Sequence, residues 1–194
     1  MKGKTRIILA SKSPRRRELL GQIYSEFEII SKEVDESLPE GVHPSLGVEI
    51  LAKRKGEAVA DLCRSDALII SSDTLVEKDG IALGKPVDEA DAVRMLTELS
   101  GRSHNVHTGV AVHYKGRSFV GHKTTEVDFY PLSEETVKAY VATGEPMDKA
   151  GAYGIQGKGG SLVKEYRGDF DTVVGLSVSL TKELISKAVA ADND

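Results

Sequence analysis

The chain has 194 residues and a formal net charge of −4, enough for one generous domain or for two small lobes sharing a core. The negative balance and the lack of a long basic stripe exclude long nucleic acid as a partner, although a small anion needs only a few converging cations. Lone Cys63 excludes a disulfide framework and reads as a small core residue on a helix, no apolar run reaches membrane-spanning length, and Thr5–Ala10 is too short for a signal-peptide core, so the expected location is the cytoplasm.

Thr5–Ala10 reads as a buried strand. Ser13-Pro14 then starts a helix to about Gln22, with Ser13 as N-cap and Pro14 in the first turn. Phe27–Ile30 reads as a strand and Pro44 to about Leu62 as a long helix. Ala67–Ser71 is a short buried strand. Leu75–Lys78 and Ile81–Leu83 flank Asp79-Gly80, a hairpin with a type I′ turn. Asp88–Leu99 is a helix with an acidic first turn. Alternation from Val106 to Tyr114 is strand periodicity, and Lys115-Gly116 turns the chain into a partner strand, Arg117–Tyr130. Ser133–Val141 is a helix. A glycine-rich stretch, Gly151–Gly160, precedes strands near Ser161–Tyr166 and Thr172–Val174, and Ser177–Ala190 is a closing helix. The mixture of crossovers and hairpins predicts an α/β fold. Its mixed, strongly twisted central sheet would be flanked by helices, in two lobes around a cleft. A single domain would span 1–190, with an unstructured tail at 191–194.

Four segments carry candidate chemistry. At Ser11–Leu20 a strand meets a helix N-terminus, where free N–H groups and the dipole favour an anion. Arg15, Arg16 and Arg17 oppose that dipole unless something negative is bound, and arginine grips phosphate in bidentate fashion. A solvated basic turn is the ordinary alternative. Asp73, directly after a buried strand, is expected at the carboxyl edge of the sheet, where α/β folds bind ligands. An Asx-turn accounts for it equally well. Asp35, Glu36 and Asp73 offer oxygen ligands suited to Mg²⁺ or Mn²⁺, and Lys55 and Lys85 offer point charges for a polyphosphate, though each alone is an ordinary surface charge. The stretch Glu145–Gly160 fits neither the P-loop pattern nor the dinucleotide fingerprint. Its glycine density suggests backbone lying close to a ligand, and the Gln156 amide can read a base edge; a surface loop is the alternative. His104 and His107, three apart on a strand, face opposite sides and do not form a joint metal site.

Five segments in order resemble the Maf family of nucleoside triphosphate pyrophosphatases. They are Ala10-Ser11-Lys12-Ser13-Pro14-Arg15-Arg16, Asp73-Thr74, Lys85-Pro86, Gly101-Arg102-Ser103-His104-Asn105-Val106-His107-Thr108-Gly109-Val110, and Glu145–Gly157. The resemblance implies metal-dependent cleavage between the α and β phosphates with release of pyrophosphate, and an α/β homodimer with an elongated central sheet. It implies that Asp73 is the proton acceptor and, with Glu36, a metal contact. Arg15, Thr74 and Gln156 become specificity positions. Ser11, Arg16, Lys55 and Lys85 become phosphate or substrate contacts. The Asp73-Thr74 pair with Gln156 resembles the subgroup acting on dTTP and UTP, including modified pyrimidine nucleotides. The alternatives are a pyrophosphatase for deaminated purines (ITP, XTP) and a non-catalytic, nucleotide-binding regulator of septum formation. One departure stands out: Ser177 follows Gly175-Leu176 where family members often have proline, and serine can cap the helix there.

Overall fold

A computed structural model describes residues 5–63 and 67–192. The fold is mixed α/β. Its elements are β1 (Ile7–Leu9), α1 (Pro14–Gly21), β2 (Glu28–Ile29), α2 (Pro44–Ala60), β3 (Leu68–Lys78), β4 (Ile81–Leu83), α3 (Glu89–Leu99), β5 (Ser103–Tyr114), β6 (Arg117–Phe129), α4 (Glu134–Val141), β7 (Val163–Arg167), α5 (Phe170–Val174) and α6 (Val178–Ala190). The seven strands form one sheet in the order β2-β1-β3-β5-β6-β7, with β4 paired to β3. β1 runs parallel to β2 and β3, whereas β3–β4 and β6–β7 are antiparallel.

The chain divides into two compact units. The first takes residues 1–73, 108–123 and 175–194; the second takes 74–107 and 124–174.

In the first unit, Ile8, Ala10, Val59, Ala67 and Ile69 form an apolar cluster against which Cys63 packs. Helix α2 lies very close to the strands, and two glycines allow it. A β-carbon on Gly56 would fall 2.1 Å from Nε2 of His113, and one on Gly109 of β5 would fall 2.2 Å from the Val48 carbonyl oxygen. Two of this unit's polar groups are settled locally: Ser13 caps α1 through the Arg16 N–H and Ser177 caps α6 through the Leu180 N–H; the Asp192 carboxylate accepts from Lys115, 77 residues earlier. Residues 193 and 194 lie outside the described residues.

In the second unit, Val76, Leu96, Leu99, Val127, Phe129, Tyr140 and Tyr153 belong to the main core. Helices α3 and α4 begin at Asp88 and Ser133, whose side chains accept the N–H of Asp91 and Thr136. The Asp79-Gly80 hairpin has positive φ at both residues, 52° and 80°, which is the type I′ conformation.

Two expectations are corrected. Ala67–Ser71 and Leu75–Lys78 are not separate strands: β3 is continuous, so Asp73 sits within a strand rather than after its end. Side-chain partners make the polar run tolerable there. The Ser71 hydroxyl donates to the Ala52 carbonyl (2.7 Å), the Ser72 hydroxyl to the Gly175 carbonyl (2.9 Å), and Asp73 meets Lys55. Thr172–Val174 is not a strand but the end of α5. Asp169 starts that turn, its carboxylate accepting the Asp171 N–H and its carbonyl the Thr172 N–H, which overrides the strand preference of a β-branched run.

Candidate active site

The first unit brings together Ser11, Arg16, Glu36, Lys55 and Asp73. The close fit of α2 on the strands fixes Lys55, the neighbour of Gly56. Its ammonium donates to Asp73 Oδ1 at 2.5 Å and to Glu36 Oε1 at 2.7 Å. Asp73 is buried, whereas Glu36 is exposed on an irregular segment. That segment is held from α2. The Arg54 guanidinium donates to the carbonyl of Asp35 and, at 2.9 Å, to that of Ser37, so it grips the chain on both sides of Glu36. Asp35 serves as the brace of this turn, accepting from the Ser37 N–H (2.8 Å) and hydroxyl (2.6 Å). Those bonds hold its carboxyl below the usual range.

At the end of β1, Ser11 is buried and Arg16 half-buried. Arg16 turns back from α1 to donate through Nε to the Gly175 carbonyl at 2.9 Å and through Nη1 to the Ser11 hydroxyl at 3.5 Å. Burial pulls its pKa below the ordinary arginine value; the charges of Asp73 and Glu36 oppose that pull, while Arg15 adds to it. First-turn arginines with no acidic companion thus crowd cations beside two carboxylates. Arg15 is half-buried in the same turn, whereas Arg17 is exposed and lines an open groove of about 570 Å³ with Glu18, Tyr24 and Phe27.

The remaining candidates belong to the second unit. Successive residues of a strand leave opposite faces, so half-buried Thr74 takes the face of Val76, which packs against Gly151. Lys85 is exposed after β4, and the adjoining Gly84 carbonyl accepts the Gly151 N–H at 3.0 Å. Gln156 is exposed on a turn in which the Gly157 N–H donates to the Gly154 carbonyl.

The glycines around Gln156 make room for the protein's own side chains. β-Carbons at Gly154, Gly157 and Gly159 would each fall 2.5 Å from the Lys149, Glu145 and Tyr140 side chains respectively. Sequence reasoning passed over Glu145 and Tyr140, although Glu145 stood inside the quoted segment. It also gave no role to Arg54 or Ser72, and mentioned Gly175 only beside the Ser177 departure.

His104 and His107 part company as their spacing predicts. His104 meets the Tyr153 hydroxyl at 2.8 Å, edge-on to Phe129 and Tyr153. His107 binds Glu77 Oε2 at 3.0 Å and Thr124 at 2.8 Å. Burial pushes His104 down to about 4.

Comparison with known proteins gives the class of the molecule: the Maf-like protein family matches residues 6–188, and the chain belongs to that family. The dTTP/UTP pyrophosphatase of Bacillus velezensis is 48% identical over 182 residues, 94% of this chain and 96% of that one. The dTTP/UTP pyrophosphatase of Moorella thermoacetica is 48% identical over 184 residues, 94% of each chain. A solved dITP/XTP pyrophosphatase from Mycobacterium abscessus aligns over 97% of each chain at 16% identity, with a TM-score of 0.48.

Proposed function

We propose that this protein hydrolyses dTTP and UTP, and modified pyrimidine nucleotides, to the monophosphate and pyrophosphate. The curated relatives support the reaction and the bases. The observation that carries the chemistry is the convergence of Glu36 and Asp73 on one ammonium, with Arg16 held beside them.

In the proposed step a water oxygen attacks the α-phosphorus in line, the bond to the α–β bridging oxygen breaks, and pyrophosphate leaves. Lys55 holds Oδ1 of Asp73, and Oδ2 takes the proton from the attacking water. Arg16, Arg15, Lys55 and Lys85 offset charge growing on the leaving group. Ser11 is a further phosphate contact. Thr74 and Gln156, with Arg15, select the base.

The donor set suits a hard cation. Glu36 and Asp73 offer only carboxylate oxygens and already converge on a single positive charge. No cluster of three or more His, Cys, Asp or Glu exists among the described residues. Two carboxylates would suit Mg²⁺ or Mn²⁺, hard cations that take oxygen ligands and share them with substrate phosphates. When bound, such a cation supplies charge neutralisation on the phosphate oxygens. No described helix is long and apolar enough to cross a membrane, and we take the protein to work as a cytoplasmic homodimer, as the family resemblance implies.

The test is pyrophosphate release from dTTP, UTP, CTP, ITP and 7-methyl-GTP with Mg²⁺ or Mn²⁺, beside Asp73→Asn. Turnover of dTTP and UTP that falls about 10²-fold or more in the variant is expected. Near-wild-type turnover by Asp73→Asn removes Asp73 from the role of base. Preference for ITP moves the protein to the deaminated purines. Binding without turnover makes it a regulator.

A further inference from the structure

We propose that Glu145 is a positioning residue for base selection: with Tyr140 it clamps the backbone on both sides of Gln156 and so fixes where that amide is presented. The proposal rests on the reading of Gln156 as a base contact.

The Gln156 side chain is exposed and makes no hydrogen bond among the described residues. Its placement therefore comes from the backbone that carries it. Two residues before it, the Gly154 N–H donates to the Tyr140 hydroxyl at 3.2 Å. Two and three residues after it, the N–H groups of Lys158 and Gly159 donate to Glu145 Oε2 and Oε1 at 3.0 and 3.1 Å. The Tyr140 hydroxyl in turn donates to Glu145 Oε1 at 2.9 Å, joining the two grips into one. Lys149 closes the arrangement, its ammonium donating to the Glu145 carbonyl at 2.6 Å.

The sequence around this clamp is shaped to it. Gly157 leaves room for the Glu145 carboxylate, Gly159 for the Tyr140 hydroxyl, and Gly154 for the Lys149 stem, each at 2.5 Å from where a β-carbon would stand. Burial disfavours the charged carboxyl of Glu145, yet the N–H groups of Gly159 and Lys158 and the Tyr140 hydroxyl outweigh it and keep the group ionised. Tyr140 is buried in the core of the second unit, so the clamp is anchored to packed structure. A carboxylate accepting three donors is a strong and directional hold, and a contact residue discriminates only as well as its support fixes it. The glycine density of this segment thus acquires a role: it lets one half-buried carboxylate seize a tight turn.

Glutamine at position 145 keeps one acceptor oxygen and sets an NH₂ against a backbone N–H, so at least one grip is lost. Tyr140→Phe removes the grip on Gly154 while leaving the core filled. The experiment measures the ratio of kcat/KM for UTP to that for GTP in Glu145→Gln and Tyr140→Phe. Both are made alone and in a Gln156→Ala background, with thermal melting confirming that each protein is folded. A fall in the ratio of about tenfold, the worth of one charge-assisted hydrogen bond, is expected for Glu145→Gln, with a change in the same direction for Tyr140→Phe. Neither substitution should move the ratio once Gln156 is alanine. An effect that persists without Gln156, or an unchanged ratio in Glu145→Gln where Gln156→Ala lowers it, overturns the clamp alone. An unchanged ratio in Gln156→Ala itself overturns the base-reading role of Gln156 and the clamp with it.

Discussion

Acid should destabilise this protein through His104, and the amount can be worked out. The ring is 3% exposed, its Nε2 meets the Tyr153 hydroxyl, and its Nδ1 has no hydrogen-bond partner. A second proton would sit on Nδ1 with nothing to accept from it. Burial accordingly lowers the pKa from 6.5 to about 4, and the nearby Lys78 charge acts in the same direction. Between those values the unfolded chain carries a proton that the folded chain refuses. The contribution of this residue is thus whole above about pH 6.5 and is lost as pH falls toward about 4. Integration from about pH 7.5 to about pH 5 gives a loss of about 2 kcal/mol, approaching about 3 kcal/mol in stronger acid. His113 is also buried with a lowered pKa, so the wild-type loss exceeds this share. The double variant His104→Phe/Tyr153→Phe isolates it. Removing both partners avoids an orphaned hydroxyl, so stability near neutral pH should change little. Urea unfolding at the two pH values should then show a loss about 2 kcal/mol smaller than in wild type. Parallel losses in the two proteins would refute the reasoning.

Other outcomes follow from the same geometry. Chelation should abolish pyrophosphate release and Mg²⁺ or Mn²⁺ restore it, while Glu36→Gln should raise the half-saturating cation concentration about tenfold or more; turnover that survives chelation removes the cation from the chemistry. Arg16→Lys should cut kcat/KM by roughly 10²-fold, since a lysine cannot bind the Gly175 carbonyl and present a planar fork together; steady-state kinetics that match wild type would deny Arg16 a phosphate role. Gly109→Ala should cost more than about 2 kcal/mol, because its β-carbon would meet the rigid Val48 backbone, and an unchanged melting curve would show that α2 can shift freely. Ser133→Ala should cost about 1 kcal/mol through loss of the α4 cap, read by urea unfolding; no change would mean that another acceptor serves the Thr136 N–H.

Much of the fold was legible because local signals agreed with it. The caps Ser13 and Ser177 and the Asp79-Gly80 turn stand where the sequence places them, and the helices expected from Asp88 and Ser133 begin there. The misread places are those where distant partners decide. Nothing local reveals that Ser71, Ser72 and Asp73 find partners on α2 and at Gly175, so the polar run looked like the end of a strand. The candidate site was legible as a list of charges, because arginines in an unbalanced first turn and carboxylates near buried strands stand out. Its arrangement was not, since Lys55 lies 18 residues from Asp73 and Gly175 lies 159 from Arg16. The packing role of the glycine-rich segment was not legible, because a glycine making room for a ligand and one making room for Glu145 look alike in one dimension.

The bond between Arg16 and the Gly175 carbonyl bears on how the molecule is born. A ribosome delivers Gly175 159 residues after Arg16, and the first unit is assembled from three separated stretches of chain. The stretch that completes the second unit, by contrast, ends at residue 174. During synthesis Arg16 therefore waits for this one acceptor until 159 further residues have been added. A product truncated before residue 175 would retain every charged group assigned to catalysis and still lack the acceptor that aims Arg16.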